Sequence, residues 1–199
     1  LKRVIVFIDG NNLFHRTWDY YHTHLINIEV LSRTLCNINR ELKQIRYYYS
    51  PFIREVNARS AHLQQTYVEN ISKIPNIHVC IGKYIKKPVS LKKEVFDKIK
   101  NNISPGDLSG YVEKGIDVQI AVDMISMGIR KEYDTAILVG TDSDYVPIVR
   151  SLQDLKIKVQ VAAFQDSEHS CYDLKNCCKS FINMHHIVPS ILKKQKSRP

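Results

Sequence analysis

ILVGTDSDYVPIV, residues 137–149, joins a short apolar run to two aspartates, Asp142 and Asp144, through Gly140 and Thr141. An apolar run of this length without polar alternation reads as a strand buried on both faces, as in parallel sheets. Helical spacing resumes at Tyr145, so a strand passes into a helix through a turn that carries two carboxylates. The N-terminus repeats the pattern. VIVFI, residues 4–8, runs into Asp9, and Gly10, Asn11 and Asn12 turn the chain toward a helix, with Asn12 a candidate N-cap.

Working outward, strand-like stretches at 45–49, 77–81 and 158–163, with a small edge strand at 181–184, alternate with helix-like ones. The helices fall from about 12, and at 30–42, 54–73, 116–131, 145–155 and 172–179. Residues 83–113 are polar, contain Pro88, Pro105, Gly106 and Gly110, and read as an insertion with one short helix at about 91–101. No internal repeat is visible. The alternation specifies an α/β fold: a central, mostly parallel sheet of five or six strands with helices on both faces. Such sheets place their sites at the carboxyl ends of the strands, near the point where strand order reverses.

Asp9, Asp142 and Asp144 all stand at such ends. A fourth acid comes from EKGIDVQIAVDMISMGIR, residues 113–130. Gln119, Asp123, Ser126 and Arg130 share one helical stripe, expected to face solvent, so Asp123 needs no special role. Asp117 lies about 200° around the helix from Gln119, pointing toward the sheet, in a first turn that favours negative charge. Four carboxylates meeting at one rim raise each other's pKa values, and burying them unpaired costs several kcal/mol. A divalent cation removes that cost, and an all-oxygen ligand set suits Mg²⁺ or Mn²⁺ rather than Zn²⁺.

The charge distribution supplies a partner. The net charge is +9, and two segments carry it. Residues 83–100 hold seven lysines against Glu94 and Asp97, and 193–198 add four basic residues; the remainder is balanced. Concentrated positive charge points to a polyanion such as nucleic acid. Five cysteines at irregular spacing, two of them adjacent, do not form a disulfide framework and fit a reducing, cytoplasmic setting. The cluster His169, Cys171, Cys177, Cys178, His185 and His186 lacks the paired spacing of structural zinc sites. No apolar run approaches the roughly 20 residues of a membrane span, and the N-terminal run is too short for a secretory signal.

VIVFIDGNNLF, EKGIDVQIAVDM and ILVGTDSDYVPIVRSL, in this order, resemble the NYN domains, in particular the LabA-like group within the PIN-like nuclease superfamily. The resemblance runs from Val4 to about Phe164. It implies a PIN-like three-layer sandwich and metal-dependent ribonuclease activity at an acidic Mg²⁺ site. The family's first-strand aspartate falls on Asp9, the asparagine of its DG-x-N pattern on Asn12, the aspartate of K-G-x-D on Asp117, and those of S/T-D-x-D on Asp142 and Asp144. The domain is expected over residues 1–188, with the basic insertion at about 83–113 and a flexible basic tail at 189–199.

The expected chemistry is hydrolysis of single-stranded RNA, with Asp9, Asp117, Asp142 and Asp144 on one or two Mg²⁺ (or Mn²⁺) ions. Asn12 would orient the scissile phosphate or a metal-bound water, and Lys114 would contact a phosphate. Lys83, Lys86, Lys87, Lys92 and Lys93 would track the backbone, with Tyr84 available for base stacking. A homodimer is compatible with the sequence. A haloacid dehalogenase-type phosphatase is disfavoured because Asn11 stands where its second aspartate belongs, and a dinucleotide-binding domain because no G-x-G-x-x-G turn follows the first strand. The competing reading is an RNA-binding or regulatory module whose metal site is structural or nearly inactive.

Overall fold

The computed structural model describes residues 1–23, 26–88, 109–165 and 171–196. The expected helix at about 91–101, Lys92, Lys93 and His169 lie outside the described residues.

Eight strands and seven helices are present among the described residues. In chain order they are β1 (Lys2–Asp9), α1 (Gly10–Tyr21), α2 (Ile28–Cys36), β2 (Arg40–Tyr49), α3 (Ala58–Ile71), β3 (Ile77–Ile81), β4 (Lys83–Pro88), β5 (Ser109–Lys114), α4 (Ile116–Ile129), β6 (Thr135–Val139), α5 (Val146–Asp154), β7 (Lys158–Ala163), α6 (Tyr172–Cys177), β8 (Phe181–Asn183) and α7 (Val188–Lys196). Six strands form one sheet in the order β3-β2-β1-β6-β7-β8, every adjacent pair parallel. The order reverses between β1 and β6, which places the switch point at the carboxyl ends of those two strands.

Alternation along β1 builds three layers. Val4, Val6 and Ile8 pack into a core with Leu13, Leu31, Leu35, Val68 and Val188, under α1, α2, α3 and α7. Ile5 and Phe7 enter a second core with Ile120, Met124, Val149 and Leu174, under α4, α5 and α6. Both faces of β1 are therefore dry, and each fully buried Val, Ile or Phe contributes about 1.5–3 kcal/mol. The tyrosine run of β2 obeys the same rule. Tyr47 and Tyr49 enter the first core and Tyr48 the second, so the run alternates between two interiors rather than between core and surface.

The structure corrects three readings. The helix expected over 30–42 stops at Cys36, where Asn37 takes a left-handed φ of 67°, and Arg40–Leu42 begin β2. The insertion is anchored by an antiparallel ribbon of β4 and β5, whose lysine-rich alternation conceals it. The stretch assigned to a flexible tail starts as helix α7, with Val188 and Ile191 buried. Pro189 at its first turn suits a helix start, because the proline nitrogen has no hydrogen to satisfy there.

Helix α4 is also rotated from expectation. Val118, Val122 and Ile129 are the exposed residues, while Asp123 turns inward against β2. Its Oδ2 accepts hydrogen bonds of 2.7 Å from Arg46 Nη2 and 2.7 Å from the Tyr48 hydroxyl. That ion pair is only 18% and 22% exposed, so Asp123 ties α4 to the sheet.

Candidate active site

Asp9 is the last residue of β1, and it caps α1: its Oδ1 accepts from the Asn12 amide at 2.9 Å. The cap is thus Asp9 rather than Asn12. The Asn12 side chain instead reaches across the switch point. Its Nδ2 donates to Thr141 Oγ1 at 2.8 Å, and the Thr141 hydroxyl donates to Asn12 Oδ1 at 3.1 Å. This reciprocal pair holds the start of α1 against the turn after β6. Gly10 lets that turn pass over Tyr47, because a Cβ there would lie 2.4 Å from Tyr47 Cζ.

Asp117 comes from the first turn of α4. Gly115, at φ 96°, redirects the chain from β5 into that helix. Such a φ is open to glycine and strained for other residues. Asp142 and Asp144, both exposed, follow β6 at the turn Ser143–Tyr145, where Asp142 Oδ1 accepts from the Asp144 amide at 2.9 Å.

The centre of the site is Tyr145, a fully buried residue that sequence reasoning missed. Its hydroxyl lies 2.8 Å from Asp9 Oδ2 and 2.8 Å from Asp117 Oδ1. Burial, with two acids beside it, raises the phenol pKa far above its ordinary value, so the phenol keeps its proton. One proton serves only one of two carboxylates. The other contact is satisfied only if a carboxyl carries its own proton, or if a cation is nearby. Asp9 responds accordingly. Its burial pushes the carboxyl up to about 7, against the hydrogen bonds from Asn12 and Tyr145, with repulsion from Glu113 and Asp117 adding to the rise. Asp117 is raised as well, first by burial, then by repulsion from Asp142 and Asp144, while Tyr145 opposes the shift. Asp117 therefore links the two sides of the switch point: it repels Asp9 and is itself repelled by Asp142 and Asp144.

A fifth acid, Glu113 on β5, was also missed. Asn11 Nδ2 donates to its Oε2 at 3.0 Å and Ser50 Oγ to its Oε1 at 3.2 Å. Asn11 Oδ1 accepts from Gln64 Nε2 at 3.0 Å, extending the network to α3. Glu113 stands two residues before Gly115 in one of the quoted motifs. The signal was an acid one strand residue from the turn into α4, obscured because β5 was read as insertion.

The acids do not form a finished ligand cage. Among the described residues, no three His, Cys, Asp or Glu side chains stand close enough to hold a metal ion. The reasons are visible: Asp9 and Asp117 are pinned on Tyr145, and Asp142 is turned back onto its own helical turn. Cys171, Cys177, Cys178 and His185 likewise form no such group. The three cysteines are free thiols, and His185 sits in a ring cluster with Tyr20 and Phe164.

The expected lysines divide by strand alternation. Tyr84 pairs with Glu113 and Lys86 with Tyr111, so these four share the ribbon face turned to the site. Lys83, Lys87 and Lys114 fall on the opposite face, all exposed. Tyr84 itself is committed to the network, its hydroxyl 3.1 Å from Asn11 Nδ2.

With this geometry the sequence comparison is decisive: residues 3–185 match the NYN domain. The chain belongs to the NYN domain family. NYN domains are part of the PIN-like nuclease superfamily, and membership points to a nuclease-type function acting on nucleic acid. The three-layer architecture of this NYN domain is consistent with a PIN-like sandwich. A crystal structure of a protein of unknown function from Vibrio parahaemolyticus RIMD 2210633 has a similar fold. The TM-score is 0.55 at 16% identity, over 92% of this chain and 93% of that one. No curated protein matches the chain. Among the described residues, no helix is long and apolar enough to cross a membrane.

Proposed function

We propose that this NYN domain is a metal-dependent ribonuclease that hydrolyses phosphodiester bonds of single-stranded RNA at the β1–β6 switch point. The observation that carries the reading is the Tyr145 hydroxyl set between Asp9 and Asp117, with one proton for two acids in a buried setting. A site short of positive charge, and built only from oxygen donors, fits Mg²⁺ or Mn²⁺. Asp9, Asp117, Asp142 and Asp144 are the residues to hold it; the last two are exposed and can rotate out of their capping turn. Bound there, the ion supplies Lewis-acid chemistry, activating water and neutralising charge that develops on the phosphate.

The remaining work falls to the chain's own side chains. Tyr145 fixes the separation of Asp9 and Asp117. The Asn12–Thr141 pair fixes the α1 start against the β6 turn, so Asn12 positions the site rather than reaching freely for substrate. Glu113, held by Asn11 and Ser50, adds a carboxylate at the ribbon side. Lys86 on the site face, and Lys83, Lys87 and Lys114 behind it, attract the RNA backbone, with Lys92 and Lys93 continuing the basic segment.

Labelled RNA and DNA of several sequences, incubated with Mg²⁺ or Mn²⁺, test the reading. Wild-type protein is expected to cut RNA, and Asp142→Asn to abolish the cleavage while keeping its circular dichroism spectrum. Cleavage that survives both Asp142→Asn and EDTA refutes it. Metal-dependent binding without turnover assigns the domain to RNA binding instead.

A further inference from the structure

A groove of about 860 Å³ opens between α1, the segment after β2, the start of α3 and the β4–β5 ribbon. It lies at the same carboxyl-end rim as the acids, because the segment after β2 leaves that strand at its carboxyl end. Its lining is unusual for a solvent-facing surface. Trp18 and His15 from α1, Phe52 after β2, and Tyr84 and Tyr111 from the ribbon surround it, with Arg59 at the edge. Trp18 is 46% and Tyr111 39% exposed, while the His15 ring lies 5.5 Å from that of Phe52.

Three observations select an occupant. The groove is continuous with the acidic site, because Tyr84 both lines it and contacts Asn11 and Glu113. Its rim is cationic: Arg59 lines it, and Lys86 shares the ribbon face with Tyr84 and Tyr111. Its volume falls in the range of about 300–1,000 Å³ typical of small-ligand sites. Aromatic faces between basic side chains are how proteins hold single-stranded nucleic acid without reading its sequence, since every base offers a face to stack on.

We propose that this groove is a nucleobase subsite, in which bases flanking the scissile phosphate stack on Trp18 and Tyr111 while Arg59 and Lys86 hold the adjoining phosphates. The proposal rests on the reading that single-stranded RNA is the substrate, but it concerns binding and not turnover. Unpaired bases can enter such a groove and paired bases cannot, so it selects single strands.

Trp18 is the only tryptophan in the chain, which makes it a direct reporter. In EDTA, to prevent cleavage, a ten-nucleotide uridine oligomer is titrated against the wild-type protein while tryptophan emission is followed. An abasic oligomer of equal length and charge serves as the second probe. Saturable quenching by the uridine oligomer alone supports the subsite. Equal quenching by both probes, or none by either, overturns it, as does an emission change that depends only on protein concentration and marks a second copy in the groove. Trp18→Ala and Tyr111→Ala, read by anisotropy of a labelled uridine oligomer, are each expected to weaken binding about tenfold, and the abasic oligomer by less than twofold. Unchanged affinity in both variants refutes stacking. Quenching without any cleavage in Mg²⁺ leaves the subsite standing and removes the nuclease reading alone.

Discussion

Replacing Asp9 by Asn is expected to stabilise the metal-free domain at alkaline pH, although Asp9 is central to the proposed chemistry. The Asn side chain imitates the protonated carboxyl: its oxygen accepts from the Asn12 amide, and its amide nitrogen donates toward the Tyr145 oxygen. Wild-type Asp9 titrates near 7 in the fold against an ordinary value of 3.8. The folded state therefore binds more protons than the unfolded state between these values, and stability falls as pH rises through that window. The contribution is fully present below about pH 4 and lost above about pH 7. At 1.36 kcal/mol per pH unit, the span from pH 5 to pH 8 removes about 2–3 kcal/mol from the wild type that Asp9→Asn does not lose. Urea unfolding of both proteins in EDTA, at half-unit steps from pH 5 to 8, measures the difference and cancels the titrating groups that do not interact with Asp9. A difference that stays flat over this range would falsify the account of an under-compensated carboxylate beside Tyr145. Saturating Mn²⁺ above pH 7 is expected to reverse the ranking, because only the ionised side chain is a ligand.

Two other substitutions probe the scaffold. Asp123→Ala leaves Arg46 and the Tyr48 hydroxyl without their shared acceptor in a mostly buried place. We expect a loss of about 2–4 kcal/mol in urea unfolding, with cleavage per folded molecule unchanged at 20 °C. A loss under about 0.5 kcal/mol would make the pair a surface ornament. Gly115→Ala adds a methyl group that meets nothing within 4 Å, so any cost comes from the backbone at φ 96° alone. A loss of about 1–2 kcal/mol is expected, seen as a melting temperature lower by roughly 2–8 °C. An unchanged melting temperature would mean the turn adjusts without strain.

Most of the sheet was legible because its strands are buried on both faces. β6 is a short apolar run buried throughout, and β3 and β7 are strand-favouring runs between turn residues, so their limits follow from composition. The start of β2 was not legible, because RELK reads equally well as a helix end until the left-handed Asn37 is seen. β4 and β5 were hidden for the opposite reason. A ribbon that buries only part of one face needs few apolar residues, and KYIKKP looks like a loop. At the site, Asp9, Asp117, Asp142 and Asp144 could be placed at strand or helix ends from spacing. Tyr145 could not: it follows Asp144 as an apparent first residue of a helix, and only the folded turn aims its hydroxyl back between two acids. Asp123 shows the reverse error. A polar residue on a polar stripe seemed solvated, but Arg46 on β2, 77 residues before Asp123 and in no detectable pattern with it, waits inside.

The parallel order of the sheet has a consequence for biosynthesis. β1 sits at the middle, and its second neighbour, β6, pairs Val4 with Thr135. A nascent chain emerging from a ribosome therefore displays one unsatisfied flank of β1 until β6, about 130 residues later, has been made, and open strand flanks invite intermolecular pairing. Asp9 is translated more than 130 residues ahead of Asp142. The switch-point acids consequently cannot come together on a fragment that stops short of β6, and whatever chemistry that rim performs waits for the strand that leads into Asp142.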